Sequence, residues 1–209
     1  MPDSNQDSNP AKESGPAYEK LMSVGADLIA QNGLDGINTN TIARAAHVGV
    51  GTFYNYFADK FAFHRAIVKR GLHLIQSAIT QAHAETRERP IPEQARAGIA
   101  ALVEIAEQNP RLFQATFQGA SAAGRSTSSR RSPSLGLSPR PLEQRLRALA
   151  EEGRLDLGLD PRIAARAFIE MQFSCVAHWL EDPGAHDSEV LIQTLTHLHP
   201  AVAAEIAPS

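Results

Sequence analysis

Apolar residues recur every three to four positions along almost the whole chain, and no useful length of strand-like alternation interrupts them. This spacing predicts an all-α protein. The pattern breaks at glycines and prolines, which end helices or open them. The predicted helices cover about residues 17–32, 39–46, 50–56, 60–84, 92–108, 110–117, 142–152, 161–181 and 187–197.

Polar residues mark where several of these helices should begin. The Thr39 hydroxyl can cap the second helix, Gly49 precedes the third, and Asp59 precedes the fourth. The fourth helix is long, and its predicted inward positions are Phe63, Ile67, Leu74 and Ala78. We expect it to belong to two units, which gives a tail over residues 1–16, a head over 17–62 and a body over 63–209.

The second and third helices are short and lie back to back across a tight turn. The third carries Thr52, Tyr54, Asn55 and Tyr56, which can all hydrogen-bond a phosphate or a base edge. Such a helix pair with a polar outer face is typical of the helix-turn-helix, a DNA-binding motif.

The same stretch resembles the DNA-binding domain of the TetR family of bacterial transcriptional regulators. The family pattern runs Thr-x-x-Ile-Ala-x-x-Ala-Gly-Val-Ser-x-Gly-x-Leu-Tyr-x-Tyr/His-Phe-x-x-Lys. The matching residues are Thr39, Ile42, Ala43, Ala46, Val48, Gly51, Tyr54, Tyr56, Phe57 and Lys60. Two departures lie at the turn, where His47 replaces the glycine and Gly49 replaces a Ser or Thr; histidine tolerates a left-handed backbone better than most residues.

The resemblance implies that the head binds double-stranded DNA. Tyr54 and Tyr56 would contact phosphates, whereas Val50, Gly51, Thr52 and Asn55 would lie nearest the bases. Packing is the alternative role for the tyrosines, and capping or simple exposure is the alternative for Asn55. The full predicted DNA-binding set is Thr39, Asn40, Arg44, Val50, Gly51, Thr52, Tyr54, Asn55, Tyr56 and Lys60.

Charge and composition agree with a DNA-binding head on a neutral body. The net charge of the chain is −3, yet residues 38–70 contain five basic residues and one acidic residue, a balance of +4. A solvated helix face is the alternative explanation of that charge. The single cysteine excludes an intramolecular disulfide and fits the cytoplasm. The polar tail and the lack of a long apolar run argue against a signal peptide and a membrane span.

The penultimate helix has two apolar faces, which suggests burial against its own core on one side and against a partner on the other. Ile169, Phe173, Val176 and Leu180 form one face. The TetR resemblance implies two long C-terminal helices that pair with the same helices of a second subunit. We therefore expect a homodimer. Burial in a monomer is the alternative. The predicted dimer interface consists of Phe168, Met171, Cys175 and His178.

Between the long fourth helix and the body we expect a pocket for a small, apolar effector. The predicted lining residues are Leu102, Ile105, Phe113, Phe117 and Phe173. Plain core packing is their alternative role. We find no catalytic constellation, cofactor motif or metal-ligand spacing in the sequence.

The TetR resemblance therefore implies a ligand-responsive repressor that binds a palindromic operator. A different class stays open: a DNA-binding interaction protein controlled by a protein partner, which would dock on the basic loop 119–139.

Overall fold

The computed structural model describes residues 15–122, 138–154 and 158–203. Within these ranges the chain forms ten helices and no strand, which confirms the all-α prediction. Most of the predicted tail and of the loop 119–139 lie outside the described residues. The helices are α1 Pro16–Asn32, α2 Thr39–Ala45, α3 Val50–Tyr56, α4 Lys60–Glu85, α5 Ile91–Gln108, α6 Pro110–Ala122, α7 Arg140–Glu151, α8 Pro161–Trp179, α9 Ser188–His197 and α10 Pro200–Ala203.

The head is a small aromatic core enclosed by α1, α2, α3 and the start of α4. Phe53, Phe57 and Phe63 are buried, with ring centroids 4.9–5.6 Å apart. Tyr18 of α1 stacks on Phe57 at 5.6 Å. Gly25 lets α1 approach α4, because a Cβ at that position would collide with the Phe63 ring.

Local hydrogen bonds fix the ends of the two short helices. Asn38, rather than Thr39, caps α2: its side chain accepts from Thr41 N, and the Thr41 hydroxyl accepts from Asn38 N. His47 adopts a φ of 54°, so histidine does occupy the left-handed turn position. Asp59 caps α4 by accepting from Ala62 N, as predicted.

The inner face of α4 repeats every four residues and reaches both the head and the body. Its buried positions are Phe63, Ile67, Gly71 and Ile75. The predicted inward positions Leu74 and Ala78 are only half-buried. Helix α6 crosses α4 at Gly71, so the face with Gly71 and Ile75 is buried instead. A Cβ at 71 would collide with the Thr116 side chain, so glycine permits this close crossing.

The body packs α5, α6, α8 and α9 around a second apolar core, and α7, α8 and α10 around a smaller third one. Trp179 at the end of α8 donates its indole N–H to His186 O, which closes the turn before α9. The short α10 was not predicted, since four residues give no usable periodicity. Within the described residues, none of the helices has the length and apolar character that crossing a membrane requires.

Candidate functional site

The third helix turns one face into the head and the other to solvent. Phe53 is fully buried, whereas Val50 is 38% exposed and Tyr54 is 54% exposed. Gly51 and Asn55 are exposed as well, and Thr52 is half-buried. The surface that faces solvent is therefore the one predicted to face DNA.

The second helix extends this surface. The Tyr54 hydroxyl lies 3.3 Å from Thr39 Oγ1, which joins the N-terminus of α2 to the middle of α3. Asn40 and Arg44 of α2 are exposed. Tyr56 is half-buried and meets the Tyr18 ring edge-on at 5.6 Å, so it combines packing with an exposed portion.

Lys60 has an internal role that the sequence did not show. Its Nζ donates to Leu34 O at 3.0 Å and to Ile37 O at 3.2 Å, and it lies 5.5 Å from the Phe61 ring centroid. An ammonium has three donors, so one N–H is left over from the two carbonyls. Lys60 therefore braces the α1–α2 connection, and its phosphate contact stays a prediction.

A cavity of about 610 Å³ lies between α4, α5, α7, α8 and the start of α10. That volume is in the usual range of small-molecule sites. Of the predicted lining residues, Phe173 does line the cavity. Its wall is formed by Gln76, Ile79, Thr80, His83, Arg87, Glu88, Ile91, Gln94, Ala95, Gly98, Ile99, Ser138, Pro141, Leu142, Arg145, Leu149, Arg154, Phe168, Ile169, Gln172, Phe173, His199 and Ala201.

The other four predicted lining residues do not reach the cavity; they are Leu102, Ile105, Phe113 and Phe117. The aromatic rings of α6 stack behind the wall instead, with Phe117 4.9 Å and Phe113 6.2 Å from the Phe173 ring centroid. Helix α6 thus packs on the outer side of Phe173, and a ligand contact of these four residues stays a prediction.

Polar groups interrupt the apolar wall of the cavity. Burial, with a smaller contribution from the nearby His83, lowers the pKa of His199 to about 4. Burial also lowers the pKa of His83, with a smaller effect from the charge of Arg145. Both imidazoles are therefore neutral near pH 7. Arg87, Arg145 and Arg154 are exposed on the wall and outnumber its one acidic residue, Glu88, so the rim of the cavity has a net positive charge.

The sequence missed these polar wall residues because they come from separate helices. His83, Gln172 and His199 lie on α4, on α8 and just before α10. One usable signal was present: Gln172 is a polar residue on an inward face between Phe168 and Val176. Among the described residues no group of three or more His, Cys, Asp or Glu side chains is arranged to hold a metal ion.

One residue of the predicted dimer interface belongs to the protomer's own interior. Phe168 is 5% exposed and its ring meets the His199 ring edge-on at 4.7 Å, so it cannot face a partner. Met171 and Cys175 are half-buried, and His178 is exposed. The solvent-facing stripe of α8 is offset from the predicted one and consists of Ile163, Ala167, Met171, Ser174 and His178.

Comparison with known protein families finds a match, which covers most of the head. Residues 21–67 match the model of the bacterial regulatory proteins of the tetR family. No curated protein sequence matches the chain at a significant level.

Solved structures extend the likeness to the whole chain. A tetR-family regulatory protein from Rhodococcus RHA1 has a TM-score of 0.74 at 16% identity, over 93% of this chain and 100% of that one. The regulator FadR from Bacillus subtilis, in complex with stearoyl-CoA, has a TM-score of 0.68 at 18% identity, over 88% and 98%. The regulator AibR, in complex with isovaleryl coenzyme A and operator DNA, has a TM-score of 0.66 at 17% identity, over 88% and 98%.

The head carries the family's sequence, and head and body together have the fold of its members. Residues 21–67 therefore match the N-terminal domain of the tetR-family regulatory proteins, and the chain has the fold of solved TetR-family regulators.

Proposed function

We propose that the protein acts in the cytoplasm as a homodimeric repressor, which binds a palindromic operator and releases it when a small molecule enters the cavity. The observation that carries this proposal is the path of α4. The helix begins at the DNA-facing surface with Lys60 and reaches the cavity wall at Gln76, Ile79 and His83. At 1.5 Å per residue its 26 residues span about 39 Å.

DNA binding is supported by the exposed start of α3 and by the basic balance of residues 38–70. In this proposal Tyr54, Tyr56 and Lys60 contact phosphates and set the register of the head. Val50, Gly51, Thr52 and Asn55 lie toward the bases, where Val50 can meet a thymine methyl and Thr52 can pair with several bases.

The route from cavity to head runs through α6 as well as α4. Phe117 of α6 packs on the cavity residue Phe173. On its other side α6 meets α4, where Thr116 packs against Gly71 and His64 Nε2 lies 3.3 Å from Ala115 O. A ligand that pushes on Phe173 therefore shifts two helices that hold the head. It changes DNA binding only if it favours one of the two head arrangements.

An acyl-CoA is the effector class that we propose. Two regulators with the same fold bind such compounds, with chains as different as stearoyl and isovaleryl. In this chain the cavity offers an apolar interior with Ile99, Ile169 and Phe173 and a rim with Arg87 and Arg145. An apolar chain and an anionic end match these two regions.

Dimerisation is supported by the apolar residues that α8 and α9 leave in solvent. Ile163 is 70% exposed, and Val190 and Leu198 are also exposed. A two-fold dimer would cover these surfaces and place two heads on a palindrome. We expect Ile163→Glu and Met171→Glu to give monomers in sedimentation and to weaken operator binding by orders of magnitude. Folded dimers of unchanged affinity would show that the interface lies elsewhere.

The experiment that tests the whole proposal starts from the palindrome nearest the protein's own gene. Fluorescence anisotropy at fixed salt would measure binding to that duplex and to a scrambled one, with and without acyl-CoAs from isovaleryl to stearoyl. We expect specific binding that one or more acyl-CoAs weaken at least tenfold. Free coenzyme A is the control for the head group alone.

The alternative is control by a protein partner that docks on the loop 119–139. That segment lies mostly outside the described residues, and the cavity favours a small molecule instead. Specific DNA binding without any response to acyl-CoAs would remove the proposed effector class and make a search for a protein partner the next step.

A further inference from the structure

The cavity contains a hydrogen-bond donor whose direction is set by the main chain. Ala201 N donates to His199 Nδ1 at 3.1 Å, so that nitrogen is the acceptor of the ring. In the neutral imidazole the proton then sits on Nε2. His199 lines the cavity with its ring over Phe168. That uncharged N–H is the group through which His199 can donate to a molecule in the cavity.

A second polar group, the amide of Gln172, lies on α8 one helical turn after Phe168. Gln172 is 8% exposed and lines the cavity four residues after Phe168 on α8. Residues four apart share a helix face, so Gln172 and Phe168 lie on the same side of α8, and both line the cavity with His199. The apolar side chains of Ile99, Ile169 and Phe173 share the wall with Gln172, so the amide is available to a polar atom of a ligand that enters the cavity.

His83 of α4 lies on the same cavity wall and is exposed. A Cβ at position 98 would lie 2.5 Å from His83 Nε2, so Gly98 leaves the space that the ring occupies. His83 and His199 line the same cavity. We name Gln172 and His199 the inner polar patch.

The chemistry of this patch favours an uncharged acceptor. His199 offers an N–H and Gln172 an amide, and neither side chain carries a charge. The basic wall residues Arg87, Arg145 and Arg154 are exposed on the rim, so an anionic group gains more there than at the patch. A site that hydrogen-bonds a ligand acceptor rejects analogues that lack the acceptor, because its donors then lose that partner.

We propose that His199 and Gln172 bind the carbonyl oxygen of an acyl ligand, with its chain against Ile99, Ile169 and Phe173 and its anionic end toward the arginine rim. These two residues then select acyl compounds over alkyl compounds of equal length. This assignment rests on the proposed function, since it specifies which group of the effector the same cavity recognises.

The test compares ligands that differ only in the carbonyl. Octanoyl-CoA is paired with S-octyl-CoA, and stearoyl-CoA with S-octadecyl-CoA, in which a thioether replaces the thioester. Calorimetry gives the dissociation constants for the wild-type protein and the variants. In the wild type we expect the thioester to bind about tenfold more tightly than its thioether, the scale of one or two hydrogen bonds.

The variants separate recognition from structure. His199→Asn keeps a short side-chain acceptor for Ala201 N but lacks the distal donor, and Gln172→Met keeps the length of the side chain without its amide. Each should bring the thioester-to-thioether ratio close to one while leaving thioether affinity nearly unchanged. His199→Gln restores a distal N–H and should restore part of the ratio. Gln144→Met, on the exposed side of α7, is the matched control and should keep the full ratio.

The outcomes are distinguishable. Equal affinity of thioester and thioether for the wild type overturns the carbonyl assignment but leaves an acyl-CoA effector standing. Equal losses of both ligands in His199→Asn and Gln172→Met also overturn it, because those residues would then only shape the cavity. No binding of any of the four compounds overturns the acyl-CoA effector and this assignment together.

Discussion

The head and the body both pack helices around aromatic side chains, yet they fill their interiors differently. In the head, Phe53, Phe57 and Phe63 meet one another at 4.9–5.6 Å. In the body, Phe117 and Phe173 stack at 4.9 Å on one side, but the other side of Phe173 opens on a cavity of about 610 Å³.

The difference matches two physical tasks. A close-packed core holds one arrangement, which keeps the outer face of α3 at a fixed angle to the rest of the head. A cavity sacrifices packing contacts and lets a ligand replace them. If the head core is rigid and the side chains of the cavity wall can move, substitutions in the two regions should differ in their effects.

Removing the central ring of the head should have the largest effect. Phe63 is fully buried, so Phe63→Ala should lower the free energy of unfolding by about 3–5 kcal/mol and abolish DNA binding at 37 °C. Urea denaturation followed by circular dichroism measures this. Phe61, two residues earlier, is 52% exposed, so Phe61→Ala should change stability by less than about 0.5 kcal/mol. Similar losses in both variants would show that the head core is not the tight unit described.

Acid should destabilise the body through His199. Its pKa is lowered to about 4 when folded, whereas the unfolded chain has an ordinary value near 6.5. Between these values the unfolded chain binds more protons, so stability falls as pH falls from 6.5 toward 4, by about 3 kcal/mol at most. His64 and His83 have lowered pKa values too and act in the same direction.

Carboxylates also titrate between pH 7 and pH 4.5. The contribution of His199 is therefore measured as the difference in unfolding free energy between the wild type and a His199 variant. Urea unfolding of the wild type and of His199→Gln from pH 7 to pH 4.5 should show a shallower loss in the variant. Parallel curves would mean that His199 is not buried as the structure has it.

The same substitution in the two regions should have opposite outcomes. Gly25→Ala drives a methyl into the Phe63 ring, which other rings hold in place, and should cost about 1–3 kcal/mol. Gly98→Ala meets only the end of the His83 side chain, which can turn into the cavity. The gain from replacing a helical glycine then makes the change neutral or stabilising by up to about 1 kcal/mol.

Thermal unfolding of both variants decides this comparison, and acyl-CoA affinity adds a second readout for Gly98→Ala, because the displaced ring narrows the cavity. If both variants lose stability equally, the cavity wall is as rigid as the head.

The smallest expected effect comes from removing one hydroxyl, either on the surface predicted to bind DNA or on the cavity wall. Thr52→Ala on α3 should weaken operator binding by about 1 kcal/mol per half-site and random DNA by less. Thr80→Ala on the cavity wall should leave DNA binding unchanged in the absence of effector. Anisotropy with operator and scrambled duplexes gives both values. An equal loss for Thr52→Ala on the two duplexes would assign Thr52 to phosphate positioning.

The sequence by itself determined the helices and the head. Helix ends depend on local features, such as Asp59 before α4, His47 in the turn and Asp160 before Pro161, and each is visible without knowledge of the fold. The spacing of Phe53 and Phe57 likewise specified which face of α3 turns inward. Within the head, contacts between neighbouring helices follow from this short-range pattern, which explains why the exposed face of α3 was predicted correctly.

Only the tertiary structure decided which apolar faces of the body meet. Phe113 and Phe117 carry the same periodicity as true cavity residues, but the crossing of α6 at Gly71 puts them behind Phe173. Phe168 lies inside the protomer because His199, on the distant connection to α10, covers its ring. A periodic pattern shows that one face of a helix is apolar. It does not show which element packs on that face, because helix crossings depend on segments far apart in sequence.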